Sequence, residues 1–147
     1  MTIAVREATR DDLDAIVMLL GELHVRSTAV ADADAWEAML AQTGRTILLA
    51  ERNGDAVGTA DLWIAPSLLH GAIPRAFVNY VAVLENHRRS GIGRALMEDA
   101  QRRAVGAGCG DLLLMSGDHR PDAHRFYDAL GYERCAVGFR KSLARTS

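Results

Sequence analysis

Residues 77–104 read FVNYVAVLENHRRSGIGRALMEDAQRRA, and the order of residue types along them decides the fold. An apolar run typical of a strand passes through a basic turn straight into an amphipathic helical pattern. The turn holds Arg88, Arg89, Ser90, Gly91, Ile92, Gly93 and Arg94, so two glycines stand among three arginines at a strand-to-helix junction. Such a junction suits an anion. The first turn of a helix carries backbone N–H groups without intrahelical partners, together with the positive end of the helix dipole. Glycine lets the backbone approach an oxygen with no Cβ in the way. A pyrophosphate fits that description.

Outward from the junction, strand and helix patterns follow one another along the chain. Residues 2–8 form a first strand, and Thr9 with Asp12 resembles a capping box. Leu13, Ile16, Val17, Leu20 and Leu23 then recur at helical spacing. A shorter helix over 34–42 places Trp36, Met39 and Leu40 on one side and ends at Gly44. Residues 46–51 and 56–64 are strands joined by Asn53-Gly54, a strong hairpin signal. Gly58 marks a bulge or a close backbone approach. The loop 66–74 contains SLLHGAI, which reads equally as a substrate-pocket wall and as a packed connection.

Beyond the basic turn, Ile92, Leu96, Ala100 and Ala104 share one helix face, with Glu98, Gln101 and Arg102 outside and Gly106 and Gly108 closing it. A short apolar strand covers 111–115. Pro121 suits the first turn of a last helix, whose Ala123, Phe126, Tyr127 and Leu130 form a stripe ending at Gly131. Residues 132–143 read as one or two final strands. The order β-α-α-β-β-β-α-β-α-β predicts an α/β fold with a mixed central sheet flanked by helices. No repeat, linker or low-complexity segment interrupts it, so residues 1–147 are expected to be one domain.

The 147 residues are 49% hydrophobic and 24% charged, with a net charge of −2. A surface that tracks nucleic-acid phosphates needs a clear basic excess, so no nucleic-acid partner is expected. Lys141 is the only lysine among the basic residues. Cys109 and Cys135 form no metal-spaced pair and read as free thiols in a reducing compartment. MTIAVREATR has no apolar signal core, and no run approaches the ~18 apolar residues of a membrane span. A cytoplasmic protein without a membrane partner is the expectation.

Three phosphate-binding turns compete for Gly91 and Gly93. A P-loop requires a lysine after its second glycine, and none follows here. A dinucleotide-binding turn requires a third glycine where Leu96 stands, and its acid should end the next strand, whereas Asp111 opens it. The third pattern fits: Arg88-x-x-Gly91-x-Gly93 resembles the Q/R-x-x-G-x-G/A pyrophosphate loop of the Gcn5-related N-acetyltransferase (GNAT) superfamily. The preceding YVAV resembles that family's pantetheine-holding strand. Ala123-His-Arg-Phe126-Tyr127-Asp-Ala-Leu-Gly131-Tyr132 resembles its A-x-x-F-Y-x-x-x-G-F/Y segment, and the element order is similar along essentially the whole chain.

The resemblance implies acetyl transfer from acetyl-CoA to an amine, in a ternary complex and without a covalent enzyme intermediate. Backbone groups of Val81, Ala82 and Val83 would bond the pantetheine amides. The amides of Arg89, Ser90, Gly91, Ile92, Gly93 and Arg94 would cradle the pyrophosphate, assisted by the side chains of Arg88, Arg89 or Arg94. Phe126 and Arg120 fall at further cofactor-binding positions; at 120 many members carry an asparagine. Tyr127 matches the tyrosine near the thioester sulfur. A phenol of ordinary pKa near ~10 is a suitable proton donor to a leaving thiolate. The Val83 N–H is the natural oxyanion donor. Read without the other motif, Tyr127 would be an aromatic on a core stripe.

Small-amine members of the family often place a glutamate near the middle of the central strand as base. Here Asn79 and Tyr80 stand there, and neither is a base at neutral pH. Glu22, His24, Asp61, His70 and Glu85 are the remaining candidates, each of which also reads as an ordinary surface residue. His119 and His124 are too poorly spaced for one helical face and are not read as metal ligands, so no metal is expected. The resemblance favours a small polar amine as acceptor and admits a homodimer. A non-catalytic acyl-CoA sensor on the same fold is the alternative, supported by the missing glutamate.

Overall fold

Asn53 and Gly54 both adopt left-handed backbone, with φ of 53° and 85°. That is the requirement of a two-residue hairpin turn whose twist matches the strands it joins. The hairpin so formed, β2 (Arg45–Arg52) and β3 (Asp55–Ala65), is the centre of the sheet. The computed structural model describes residues 2–23, 29–116 and 121–144. They fall into two compact units, Met1–Leu114 and Met115–Ser147.

The first unit holds β1 (Ile3–Glu7), α1 (Leu13–Leu20), α2 (Ala33–Ala41), β2, β3, β4 (Arg75–Val83), α3 (Ile92–Gly106) and β5 (Leu112–Leu114). The sheet order is β1-β2-β3-β4-β5, antiparallel throughout except for the parallel β4–β5 pair. The mixed α/β sheet expected from the sequence is therefore present. Between β1 and α1, the Thr9 N–H donates to the Asp12 carboxylate at 2.7 Å, the back-bond of the expected capping box.

Helices cover both faces of the sheet, α3 with the stripe expected of it and α1 with Ile16 beside Leu19, a residue outside the stripe expected there. On one face α3 buries Ile92, Leu96, Met97, Ala100 and Ala104. Gly58 is where that helix meets β3: a Cβ there would lie 2.8 Å from Ile92 Cγ2 and 3.1 Å from Leu96 Cδ1. Pairing also slips beside Gly58, with Ala50 opposite Gly58 and Glu51 opposite Ala56, leaving Val57 as the extra residue of a bulge. A second apolar cluster joins Ile16 and Leu19 of α1, Trp36 of α2, and Ile47 and Leu49 of β2. Trp36 satisfies its indole N–H on the Arg10 carbonyl at 3.2 Å. Burial of each large side chain contributes roughly 1.5–3 kcal/mol.

The second unit contains α4 (Pro121–Ala129). Gly131, at φ 90°, ends it, and the Tyr132 N–H closes the turn on the Tyr127 carbonyl at 3.0 Å. The final strand expected over 132–143 is not formed: residues 133–144 pair with no strand among the described residues. Val137, Phe139 and Leu143 keep a strand's alternation but stand exposed. Alternation supplies a face; a ladder partner is what makes a strand.

Candidate functional site

The site begins where β4 and β5 part. β5 accompanies β4 only from Ala76 to Val78. From Asn79 onward that side of β4 has no strand beside it among the described residues. At the same point the β3–β4 pairing is irregular: Leu62 faces Val78 and Ala60 faces Val81, so Asn79 and Tyr80 stand against Asp61 alone. A bulge bends the strand that carries it, and this one lies where β4 and β5 cease to pair. Past it, the Leu84 N–H bonds the Val57 carbonyl at 3.0 Å. By the alternation of an antiparallel ladder, Ala82 then turns its backbone groups toward Thr59, while Val81 and Val83 turn theirs to the open edge. Of the three residues expected along a pantetheine arm, Val81 turns both backbone groups toward it and Val83 its N–H, the Val83 carbonyl accepting from Arg88.

The edge leads into a turn of unpaired donors. Glu85–His87 form a single 3-10 turn, after which Arg89 takes φ 63° and Gly91 φ 88°. The Ser90 hydroxyl donates to the His87 carbonyl and fixes the turn. The first helical bond of α3 is the Ala95 N–H on the Gly91 carbonyl at 3.0 Å. The N–H groups of Arg89, Ser90, Gly91, Ile92, Gly93 and Arg94 therefore find no backbone acceptor among the described residues. Successive free amides at a helix start form a cradle for anionic oxygens, which is what a pyrophosphate requires. Arg88 donates from Nε to the Val83 carbonyl at 3.3 Å and from Nη2 to Glu22 at 3.1 Å. Arg94 lies 3.7 Å from Glu98 one turn along α3.

The residues considered as bases are dispersed. Asp61 is no surface carboxylate: it is fully buried, and Arg45 grips it with Nη2 at 2.6 Å and Nε at 3.0 Å. Asn79 adds a bond to Asp61 at 3.3 Å, and the Arg45 guanidinium sits 4.4 Å from the centroid of Trp63. The Tyr80 hydroxyl is buried near this pair with no hydrogen-bond partner among the described residues. Burial, and secondarily the Asp61 charge, push its pKa well above the ordinary phenol value. It is a donor, never a base, at neutral pH. Glu22 is held by Arg88. Glu85 is exposed, as is His70 in the loop 66–74, where Leu68 and Leu69 also stand in solvent. That loop is no packed connection. His24, His119 and Arg120 lie outside the described residues.

In the second unit Tyr127 sits on α4, half-buried, between the rings of Phe126 at 5.0 Å and Tyr132 at 5.8 Å. Both contacts are edge-to-face, which fixes the ring plane. His124 on the same helix has Arg134 at 3.4 Å from Nδ1. Among the described residues no group of three or more His, Cys, Asp or Glu side chains is placed to hold a metal. No described helix is long and apolar enough to cross a membrane.

Sequence reasoning missed Arg45 and the Glu22–Arg88 pair. Their only signal would have been hairpin register for the first, and none for the second.

Known proteins share this fold. Residues 13–132 match the model of the acetyltransferase (GNAT) family, a span that reaches into both units. The aminoalkylphosphonate N-acetyltransferase of Salmonella typhimurium is 33% identical over 139 residues, covering 94% of this chain and 90% of its own. A protein of Agrobacterium tumefaciens assigned to the acetyltransferases is 35% identical with a TM-score of 0.89, over 95% of this chain and 99% of its own. A Bacillus halodurans protein described as a transcriptional regulator is 26% identical, also with a TM-score of 0.89, over 97% and 100%. With a family match over most of its length and a relative this similar, the chain belongs to the acetyltransferase (GNAT) family.

Proposed function

We propose that the protein transfers the acetyl group of acetyl-CoA to the primary amine of a small polar molecule, by direct attack in a ternary complex. One observation carries this reading: the open edge of β4 at Val81 and Val83 runs directly into the unpaired amides of Arg89–Arg94. An amide-bearing arm ending in a pyrophosphate is complementary to both parts at once. Bound acetyl-CoA supplies a thioester carbonyl for the amine to attack and a thiolate as leaving group.

The chain's own groups then have distinct tasks. The Val81 and Val83 backbone holds the arm as a further strand would be held. The Val83 N–H, directed to the same edge, stabilises the oxygen on which negative charge develops. Tyr127 gives its proton to the departing sulfur, which is general-acid catalysis. Water carries off the proton of the attacking amine, since Asp61 is sealed in its ion pair and neither Asn79 nor Tyr80, at the middle of β4, is a base at neutral pH. A small amine as acceptor is supported by the Salmonella relative, whose named substrates are aminoalkylphosphonates.

A second reading, an acyl-CoA sensor without turnover, is favoured by the regulator described from Bacillus halodurans and by the absence of a glutamate at Asn79 or Tyr80. Free-thiol release from acetyl-CoA, measured with aminoalkylphosphonates, amino sugars and diamines, separates the two. Amine-dependent release is expected. Tight binding of acetyl-CoA with no release on any amine would establish the sensor instead.

A further inference from the structure

Arg88 stands at a crossing of the two parts of the site. Its Nε bonds the carbonyl of Val83, one of the residues whose backbone faces the open edge of β4. Its Nη2 bonds Glu22, in the short 3-10 turn Gly21–Leu23 that follows α1, at 3.1 Å. Its backbone begins the turn whose next amides find no backbone acceptor among the described residues. One residue thus joins a strand edge and a carboxylate by its guanidinium and the start of an anion cradle by its backbone.

We propose that Glu22 and Arg88 form an electrostatic latch on the cofactor edge, which the pyrophosphate of CoA opens by taking Arg88 away from Glu22. The proposal rests on the acetyl-CoA reading above. The magnitudes favour the exchange. The Arg88 and Glu22 side chains are 46% and 23% exposed. An ion pair so exposed to water is worth a factor of about five or less in an equilibrium. A pyrophosphate bears more charge than a carboxylate, and its oxygens match the planar fork of a guanidinium in pairs. The free amides of Arg89–Arg94 bring that charge to the same turn, so the anion arrives with its other contacts already made.

The exchange has consequences at both ends of the guanidinium. The Val83 carbonyl loses a charged donor and becomes available to an amide of the arm. Glu22 is left as a carboxylate without its cation, at the end of α1 beside β4, where it attracts an ammonium group. Cofactor loading thereby prepares the protein for a positively charged acceptor. Glu22 opposes cofactor binding until then and favours acceptor binding afterwards.

The sign of one substitution tests this. Glu22→Gln removes the competing charge, so CoA is expected to bind about two- to fivefold tighter by calorimetry, and Glu22→Ala should match it. Pantetheine, which lacks the pyrophosphate, should show no gain with either variant. In an Arg88→Met background the Glu22→Gln gain should vanish, because the two residues act through one contact. Equal or weaker CoA binding by both Glu22 variants overturns the latch, as does a gain that survives Arg88→Met. If the unaltered protein binds no CoA, the acetyl-transfer reading falls with it; if it binds and only the predicted gain is missing, the latch alone falls.

Discussion

Asp61, on β3, is fully buried, and its Oδ2 lies 2.6 Å from Nη2 of Arg45 on β2. The second oxygen meets Nε of the same guanidinium at 3.0 Å, so the pair is bidentate. Asn79, at the bulge of β4, bonds the same carboxylate, and three strands are tied at the point where β4 leaves β5. This carboxylate belongs to the fold and not to proton transfer.

Asp61→Asn should therefore destabilise the protein by about 3–5 kcal/mol, because it strands a largely buried arginine charge. Urea denaturation measures it. A loss of activity at full stability would instead return Asp61 to the list of bases.

Tyr80→Phe should behave in the opposite way. The hydroxyl is buried without a partner among the described residues, so its removal relieves a desolvation penalty of about 1–3 kcal/mol. The expected result is an unchanged or raised Tm. A marked drop in Tm would mean that the hydroxyl is satisfied in solution.

Two glycines should fail differently. Gly58→Ala forces a Cβ to 2.8 Å from Ile92 Cγ2 and 3.2 Å from the Ala82 carbonyl, an overpacking that costs about 1–3 kcal/mol. Gly91→Val has room around it but must hold φ near 88° and places methyl groups beside the free amides. Its main effect should be weaker CoA binding, read by calorimetry on the folded protein. CoA affinity equal to that of the unaltered protein would remove the turn from the cofactor site.

Asp12 gives the stability curve a predicted acid limb. Arg6 bonds both its oxygens, at 2.8 and 2.9 Å, and this guanidinium is the main reason its pKa falls from 3.8 to about 2. A carboxyl depressed in the folded state stabilises fully above its unfolded pKa and loses that contribution as pH falls through the folded value. Between about pH 4 and pH 2 the protein should lose about 1–2 kcal/mol through this group, the half-exposed Arg6 limiting the sum. In Asp12→Asn that portion of the decline should be missing when unfolding is followed from pH 5 downward.

What the sequence revealed, and what it hid, follows from range. The stripe Ile92, Leu96, Ala100 and Ala104 is buried on α3 because helical periodicity is local and needs no partner to be recognised. Asn53-Gly54 carries its turn in the two residues themselves. The Arg45–Asp61 pair was hidden by one residue: the bulge at Val57 shifts the β2–β3 register, setting Arg45 opposite Trp63 and Ile47 opposite Asp61. Glu22 and Arg88 are separated by 66 residues and meet because the turn after α1 packs against β4. Residues 132–143 show the reverse case, a strand's alternation without a ladder.

Tyr127→Phe examines the chemical step. The substitution keeps the ring, and with it the edge contacts to Phe126 and Tyr132, so packing on α4 should survive. The hydroxyl and its proton are removed. If that proton goes to the leaving sulfur, kcat should fall by ~10²-fold or more, while acetyl-CoA affinity stays within about twofold, since general-acid assistance exists only in the transition state. The split matters because a ring that merely packs would change stability and leave kcat alone. Acetyl esters of thiols more acidic than CoA supply a further check. Their thiolates leave with less help from a proton, so the kcat deficit of Tyr127→Phe should shrink with such donors. A deficit that stays constant across thiol acidities would place Tyr127 in positioning and not in proton transfer.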